Sequence, residues 1–355
     1  MIGQRLKLAR AAAGLSLRGL QDKIGNRVTA QAIGKYERNE DVPSSGVLIA
    51  LADGLSVSLD YLMGDQEMIL DGVEFRKKQI ASKKEEAQVQ AKALHLIERY
   101  LMVEEILGLP GAEWDKPREA PYPVRELGDA EIAATSLRAH WNLGVDPIPN
   151  LVELLEDRGI KILVLDSQDN IDGLAAEARR PGKESVRIIA IRKGSQGERQ
   201  RFSLAHELGH MVMSVVGDER QREKAAHRFA GSFLMPADLI WSSVGRHRTS
   251  IGLGELFSLK QLVGASVQAI TYRCSDLGTF PSVLSQKLFR EFSQRGYRSH
   301  PYEPNPLDAE VPGRFRRLCF RALAEGAISE PKAAELLNIT VHELNRVMEE
   351  PSPAR

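Results

Sequence analysis

The most telling residues of this chain are 201–212, which read RFSLAHELGHMV. Two of them, His206 and His210, are four positions apart, so an α-helix places both on one face, about 6 Å apart along its axis. Glu207 lies beside that pair. Two imidazoles at this spacing with an adjacent carboxylate form the HExxH pattern, in which the histidines chelate a metal ion and the glutamate takes a proton from metal-bound water. The stretch predicts half of a zinc-hydrolase site, and two surface histidines sharing a face are the alternative.

A third ligand is expected from the next helical segment, residues 219–235, which stops before Pro236 and carries an apolar stripe. Glu223 precedes His227 by one turn, so both can point at the first helix. Glu223 is the predicted third ligand, and His227 is a supporting or alternative ligand. Glu219 is interpreted as part of a solvated charge cluster. Zinc is the expected metal, with manganese as the alternative.

The stretches RFSLAHELGH (201–210) and EKAAHRFAGSFLMP (223–236) resemble the signature of the ImmA/IrrE family of zinc metallopeptidases. The resemblance implies that His206, His210 and Glu223 hold zinc and that Glu207 is the general base. It also implies that XRE-type repressors are substrates. The chain departs from the family at His227, where Asn or Asp is more common, and a histidine there makes a different metal geometry possible.

Upstream, residues 160–166 and 186–192 are short β-branched runs that predict two strands joined by a turn-rich connection. A helix is predicted before them, at 150–157. The order helix, strand, strand, HExxH helix, glutamate helix predicts a small α+β zincin-like core. An edge strand beside such a cleft can pair with an extended peptide, which favours a peptide substrate.

The first seventy residues predict five short helices, at 2–13, 16–24, 29–37, 45–52 and 58–63, with Ser16 and Thr29 as N-caps. The stretch GLSLRGLQDKIGNRVTAQAIGKYERNEDVPS (14–44) resembles the XRE, or lambda-repressor-like, helix-turn-helix family. Two departures are Leu17, where the family usually carries Gln, and a turn at 25–28 about two residues longer than usual. The resemblance implies that helix 29–37 enters the major groove of DNA.

The exposed side chains of that helix are the candidates for DNA contacts: Thr29, Ala30, Gln31, Lys35 and Arg38. Gln31 could read adenine bidentately, whereas Lys35 and Arg38, with Arg27, suit phosphates. The domain is only mildly basic, which favours a homodimer on a short double-stranded operator over strong nonspecific binding. A purely protein-binding use of the fold is the alternative.

Three further segments are expected to be helical. Residues 75–109 predict a long connecting helix whose apolar positions Leu94, Ile97, Leu101, Val103 and Ile106 fit a dimer seam or packing on the peptidase equally well. Residues 255–264 and 266–277 have the form of a helix-turn-helix pair, where Gln268, Tyr272 and Arg273 are expected to line the cleft or to contact a repressor. A second DNA-binding surface is the less favoured alternative. Residues 314–350 contain two capped helix starts.

The predicted fold class is multidomain and mainly α: an all-α five-helix domain, a small α+β zincin-like metallopeptidase core and C-terminal helices. The predicted domains are 1–66 (helix-turn-helix), 67–125 (helical linker), 126–245 (peptidase core), 246–300 (helix-turn-helix-like) and 301–355 (C-terminal helices). The 355 residues carry no net charge, and 43% of them are apolar, enough for real cores. With two cysteines and no membrane-length apolar run, the chain is expected to be soluble and cytoplasmic.

The leading hypothesis is a DNA-binding transcriptional regulator with a zinc-dependent endopeptidase domain that cuts a repressor, either a separate one or its own interdomain region around 64–84. The competing hypothesis is a transcription factor whose peptidase-like domain is a non-catalytic sensor or dimerisation module. A phage-defence or toxin–antitoxin setting is a weaker possibility that rests on family company alone.

Overall fold

A computed structural model describes residues 2–55, 57, 59–64, 68–77, 82–109, 113–165, 171–297 and 303–349. The chain is mainly helical with a small mixed sheet, as predicted. It divides into two compact units. The first comprises Met1–Trp114, Glu156–Arg192 and Pro312–Arg355, and the second comprises Asp115–Leu155 and Lys193–Val311.

The five N-terminal helices form as predicted, with ends within three residues of the expected ones. They are α1 (Ile2–Ala12), α2 (Leu17–Lys23), α3 (Ala30–Glu37), α4 (Ser45–Leu55) and α5 (Leu59–Met63). The side chains of Ser16 and Thr29 cap α2 and α3 by accepting hydrogen bonds from backbone N–H groups in the first turn. Leu6, Leu20 and Ile33 are fully buried at the centre of these helices. Local caps and one apolar core therefore account for this domain.

The remaining elements follow in chain order. They are β1 (Ile69–Lys77), α6 (Lys83–Ile106), β2 (Tyr122–Val124), α7 (Leu127–His140), α8 (Leu151–Asp157), β3 (Lys161–Leu165), β4 (Ile171–Arg179), β5 (Val186–Arg192), α9 (Gly197–Val212), β6 (Met213–Val215), α10 (Glu219–Leu234), α11 (Ala237–Val244), α12 (Leu253–Val263), α13 (Val267–Asp276), α14 (Ser282–Gln294), α15 (Arg314–Ala324), α16 (Glu330–Leu337) and α17 (Val341–Glu349).

The first unit contains a four-stranded sheet in the order β1-β4-β5-β3, in which only β3 and β5 are parallel. Two of these strands correct the sequence predictions. β4 occupies the stretch expected to be a turn-rich connection, and β1 lies within the expected helical linker. β4 is rich in small residues, and a Cβ added to Gly173 would lie 2.7 Å from the Ala190 carbonyl oxygen. Small residues let β4 approach β5 closely. β4 therefore lacks the β-branched residues from which a strand is usually predicted.

Helix α6 packs within the first unit. Its side chains Val89, Ile97 and Val103 are fully buried in one cluster with Leu174 of β4 and Ile188 of β5. Of the apolar positions considered for a dimer seam, Ile106 remains exposed, whereas the other four are buried inside the chain. The structure thus favours internal packing as the reason for this apolar spacing.

The second unit is built around α9 and α10, with Phe229 and Phe233 of α10 fully buried. β2 and β6 form a two-stranded parallel sheet beside them. Helix α9 ends at Val212, because Met213 turns into an extended conformation and begins β6. α12 and α13 form the predicted helix pair, joined through Gly264 in the left-handed region.

The predicted domain boundaries at 66, 125, 245 and 300 remain predictions, since each compact unit joins segments that are distant in sequence. Part of the predicted self-cleavage segment 64–84, namely 65–67 and 78–81, lies outside the described residues, as do 301–302 and 350–355 of the C-terminal segment. Among the helices that the structure describes, none is both long and apolar enough to cross a membrane.

Candidate metal centre

Helix α9 carries both histidines of the HExxH pattern and is buried along most of its length. Leu204, Ala205, Leu208 and Val212 are fully buried around them. Their apolar contacts fix the rotation of the helix, so His206 and His210 emerge together on its remaining face. His206 is 2% exposed, and the His210 side chain is 12% exposed.

Helix α10 supplies the carboxylate, and its start is fixed by a capping box. The backbone N–H of Gln221 donates to the Asp218 carboxylate at 2.8 Å, and the N–H of Asp218 donates to the Gln221 side-chain oxygen at 2.8 Å. Phe229 packs against α9 at Gly209, where an added Cβ would lie 2.9 Å from the ring. The cap and this close crossing place Glu223 opposite the two histidines.

His206, His210 and Glu223 form the one group of potential metal ligands that the described residues contain. The two Nε2 atoms are 3.1 Å apart. One Glu223 oxygen lies 3.4 Å from Nε2 of His206, and the other lies 3.3 Å from Nε2 of His210. Tetrahedral ligands held about 2.0–2.1 Å from zinc are about 3.3 Å from one another. Both the spacing and the donor types therefore fit a zinc site with three protein ligands.

A negative charge on Glu223 suits a cation held between this residue and the two histidines. The hydrogen bonds from His206 and then His210 hold the pKa of the Glu223 carboxyl well below its usual range, although burial alone would raise it. Glu223 retains contact with solvent, its side chain being 46% exposed. A fourth position open to water is what distinguishes a catalytic zinc site from a structural one.

Glu207 follows the first histidine on α9 and is 3% exposed. A carboxylate buried to this degree is costly unless it is paired or hydrogen-bonded. Its position in sequence places it next to His206 rather than across the helix, as the HExxH pattern requires.

The other two acidic or imidazole candidates differ in their surroundings. The His227 ring lies 4.7 Å from the His206 ring, edge to face, and 5.6 Å from the Phe202 ring. It therefore packs on the side of the ligand group and is not a member of it. The side chain of Glu219 is 80% exposed, as a solvated residue should be.

Two buried cations hold the N-terminal half of α9, and neither was predicted from sequence. Arg201 donates to the Gly264 carbonyl at 3.1 Å and to the Ile148 carbonyl at 2.7 Å, and it pairs with Glu310. Lys260 is fully buried and pairs with Glu198 of α9 at 2.7 Å. These partners lie 53 to 109 residues apart in sequence, so no local pattern indicates them. Their effect is to fix the helix that carries the histidines.

Comparison with known families gives two matches. Residues 155–275 match the IrrE N-terminal-like domain family, and residues 6–62 match a helix-turn-helix family. The chain joins these two domains. The fusion predicted from the sequence is thereby confirmed. A comparison with curated proteins found no match.

In the helix-turn-helix domain, α3 is the helix predicted to enter the major groove. Thr29 is exposed, and its hydroxyl accepts a hydrogen bond from the Ala32 N–H at 3.2 Å, so this side chain is occupied as a cap. Gln31 and Lys35 are exposed, and Ala30 is partly exposed. Gln31 and Lys35 are therefore the polar side chains on α3 best placed to reach DNA.

Arg38, the fifth DNA-binding candidate, is engaged within the domain. Its guanidinium donates two hydrogen bonds to the Glu40 carboxylate, at 2.6 and 2.8 Å. Both side chains are largely exposed, 59% for Arg38 and 50% for Glu40. A phosphate has to compete with this bidentate pair.

Gln21 is a further residue of the helix-turn-helix domain that sequence reasoning missed. Its side chain donates to the Asn26 side-chain oxygen at 2.8 Å and accepts from the Ala30 N–H at 2.8 Å. Gly25 and Asn26 in the turn both have positive φ. Gln21 thus spans a turn that is longer than usual. A polar residue one helix before an Asn-containing turn is the sequence feature from which this contact could have been predicted.

In the IrrE N-terminal-like domain, the three residues considered for the cleft have different surroundings. Arg273 is 1% exposed and donates to the Met235 carbonyl at 2.8 Å and to Glu131 at 2.7 Å. The Gln268 side chain donates to the Tyr297 carbonyl at 3.1 Å. Tyr272 is 55% exposed. Arg273 and Gln268 therefore hold α13 in place, whereas the Tyr272 side chain is open to solvent.

Proposed function

We propose that this chain is a DNA-binding regulator whose IrrE N-terminal-like domain is a zinc-dependent endopeptidase that hydrolyses a peptide bond in a helix-turn-helix repressor. The ligand set proposed is His206, His210 and Glu223, with Glu207 as the general base. His227 is assigned to supporting His206 through its ring contact. Zinc is the proposed metal, with manganese as the alternative.

One observation carries this proposal: two imidazole nitrogens and a carboxylate lie within 3.1–3.4 Å of one another beside a buried glutamate. An accidental pair of surface histidines would not bring a carboxylate from a second helix to this spacing. The two family matches agree with it, since they join a DNA-binding domain to a peptidase-like domain.

The bound metal would supply an acidified water molecule and a Lewis acid for the peptide carbonyl. Glu207 accepts the proton as the water attacks, and it donates that proton to the departing amine. Glu207 is 3% exposed, so little bulk water competes for the proton that it accepts. His206 and His210 would hold the metal through imidazole nitrogens, and Glu223 through a carboxylate oxygen.

A separate repressor is favoured as substrate over the chain itself. Within the segment considered for self-cleavage, β1 is hydrogen-bonded to β4 from Ile69 to Lys77. A peptidase needs an extended backbone with free N–H and C=O groups, and a paired strand offers these only when the sheet opens locally. Cleavage in trans avoids that cost.

The test is incubation of the full-length protein, with and without zinc, with separately purified helix-turn-helix repressors encoded near it. Wild-type protein should cut one of them at a single site. Glu207→Gln removes the proton acceptor but keeps the size of the side chain, so cleavage should fall at least about a hundredfold.

Glu219→Gln is the matched control, because it makes the same change on an exposed carboxylate of α10. It should cut at the wild-type rate. Equal cleavage by wild type and Glu207→Gln, or no zinc-dependent cleavage of any repressor or of the chain itself, would contradict the proposal. A non-catalytic sensor would then be the better account.

A further inference from the structure

A cavity of about 410 Å³ lies in the second unit beside the metal-ligand group. Its walls come from α7, α9, α10 and α13. Phe202 lies one helical turn before His206, and His227 lies one turn after Glu223. Because a helical turn advances about 5.4 Å, the cavity begins close to the ligands. Neighbouring Cα atoms of a peptide are 3.8 Å apart, so the residue next to a bond held at the ligand group reaches this cavity.

The cavity wall is mostly apolar and is open to solvent. Leu127 is 42% exposed and Tyr272 is 55% exposed, and both line the cavity together with Phe202 and Ala269. Large apolar side chains exposed around a concavity indicate a binding site.

The two arginines of the wall are paired with carboxylates. Arg228 contacts Asp276 at 3.1 Å and Glu131 at 3.5 Å, and Arg273 contacts Glu131 at 2.7 Å. Both arginines therefore have carboxylate partners, Asp276 in the wall and Glu131 behind it. The third cation of the wall, Lys224, is exposed, so its ammonium group can remain in solvent while an apolar side chain occupies the cavity.

Gly231 is the remaining feature of the wall. It lies in the interior of α10, where glycine lowers helix stability by about 0.5–1 kcal/mol relative to alanine. A Cβ added there would meet no atom closer than the Arg273 Cδ at 4.0 Å. Packing therefore does not require a glycine at this position. The missing side chain leaves depth in the cavity.

We propose that this cavity is a specificity pocket for a large apolar side chain, aromatic or leucine-like, on the substrate residue adjoining the cleaved bond, and that Gly231 sets its depth. The inference rests on the proposed peptidase function for the identity of its occupant. The side chain would pack between Phe202 and Tyr272 and extend towards Gly231.

The first test measures binding without catalysis. N-acetyl-phenylalaninamide and N-acetyl-alaninamide are titrated into metal-free full-length protein and followed by NMR. Wild type should bind the phenylalanine amide at least about tenfold more tightly, since the larger side chain buries more apolar surface. Gly231→Leu should abolish that preference, and Gly254→Leu should keep it.

Gly254 is the matched control because it is an exposed helical glycine with no atom within 4 Å of an added Cβ and does not line the cavity. Equal binding of the two amides by wild type would overturn the pocket. So would an unchanged preference in Gly231→Leu.

The second test uses zinc-loaded protein and a mixture of random peptides, with product ends determined by mass spectrometry. Wild type should cut beside large apolar residues, and Gly231→Leu should shift cleavage to small ones. Cleavage without side-chain preference would overturn the pocket and uphold the peptidase. Selective amide binding with no peptide cut would uphold the pocket and contradict the peptidase.

Discussion

A single surface ion pair limits the charge that the helix-turn-helix domain offers to DNA. Glu40 binds Arg38 through two hydrogen bonds, and Arg38 in turn lowers the pKa of the Glu40 carboxyl. Of the two cations, Lys35 is exposed on α3, whereas the Arg38 guanidinium is held by the Glu40 carboxylate. Such an arrangement favours binding that depends on base contacts over nonspecific attraction.

Replacing Glu40 should strengthen binding to DNA. In Glu40→Gln, Arg38 becomes available for a phosphate, so affinity for random duplex DNA should rise and the slope of log K against log salt should steepen by about one. Fluorescence anisotropy at several salt concentrations measures both quantities.

The double variant Glu40→Gln with Arg38→Ala separates this effect from the loss of a negative charge. Its salt slope should return to the wild-type value. A slope in Glu40→Gln equal to that of wild type would show that Arg38 does not reach the phosphates.

At the scale of elements, the metal-ligand group depends on how closely α9 and α10 cross. Gly209 lies on the same turn of α9 as the two histidines and faces the Phe229 ring. A Cβ added to Gly209 would lie only 2.9 Å from that ring, so no side chain fits there. A shift of one helix against the other by a fraction of an ångström would move Glu223 relative to His206 and His210. The crossing is thus part of the site.

Gly209→Ala should destabilise the second unit by about 1–3 kcal/mol, because the new methyl group overlaps Phe229. It should also weaken zinc binding. Urea unfolding followed by circular dichroism gives the first quantity, and calorimetric titration gives the second.

Gly231→Ala is the control on the same pair of helices. With no atom nearer than 4.0 Å to its Cβ, it should raise stability by about 0.5–1 kcal/mol. A Gly209→Ala protein as stable as Gly231→Ala would contradict the account of the crossing.

The elements that could be predicted from sequence are those governed by local rules. The ends of α2, α3 and α10 follow from Ser16, Thr29 and Asp218, whose side chains act within one turn. The spacing of His206 and His210 is likewise a property of one helix. The pairing of these residues with Glu223 was reached through helical faces and the family resemblance.

The elements that could not be predicted depend on distant partners. β4 carries alanines and Gly173 where a strand pattern would need β-branched residues, and it is a strand because β1 and β5 pair with both its edges. The Arg201 and Lys260 networks join residues that no periodicity relates. The cavity beside the site is lined by residues of four helices, so its depth at Gly231 cannot be predicted from a local sequence pattern.

At the scale of the whole molecule, the helix-turn-helix domain packs on α6 within the first unit. Arg5 of α1 pairs with Glu98 at 3.1 Å and covers the Tyr61 ring at 4.9 Å. The Tyr61 ring lies 5.0 Å from His95. Burial raises the pKa of Glu98 to about 7 despite the nearby guanidinium. The contact between α1 and α6 is therefore sensitive to pH.

The sign of that sensitivity follows from the raised pKa. Between pH 4.5 and about 7, Glu98 holds its proton in the folded state but loses it on unfolding. The contribution of Glu98 to folded-state stability is therefore fully present below pH 4.5 and is lost as the pH rises through about 7. Glu98→Gln prevents this loss of stability at high pH, because the glutamine side chain does not ionise. At pH 8 the variant should hold α1 more firmly than wild type by at most about 3 kcal/mol.

Hydrogen exchange of the α1 amides measures this effect, with variant and wild type compared at the same pH. The difference in protection should be small at pH 5 and large at pH 8. A difference that is independent of pH, or largest at pH 5, would show that Glu98 is ionised throughout.

The central claim is that His206, His210 and Glu223 bind one zinc ion, and zinc stoichiometry by elemental analysis after dialysis tests it most directly. Wild type and Glu219→Gln should each retain about one zinc per chain, whereas Glu223→Gln should lose it. Absence of zinc from wild type, or equal retention in Glu223→Gln, would contradict the claim.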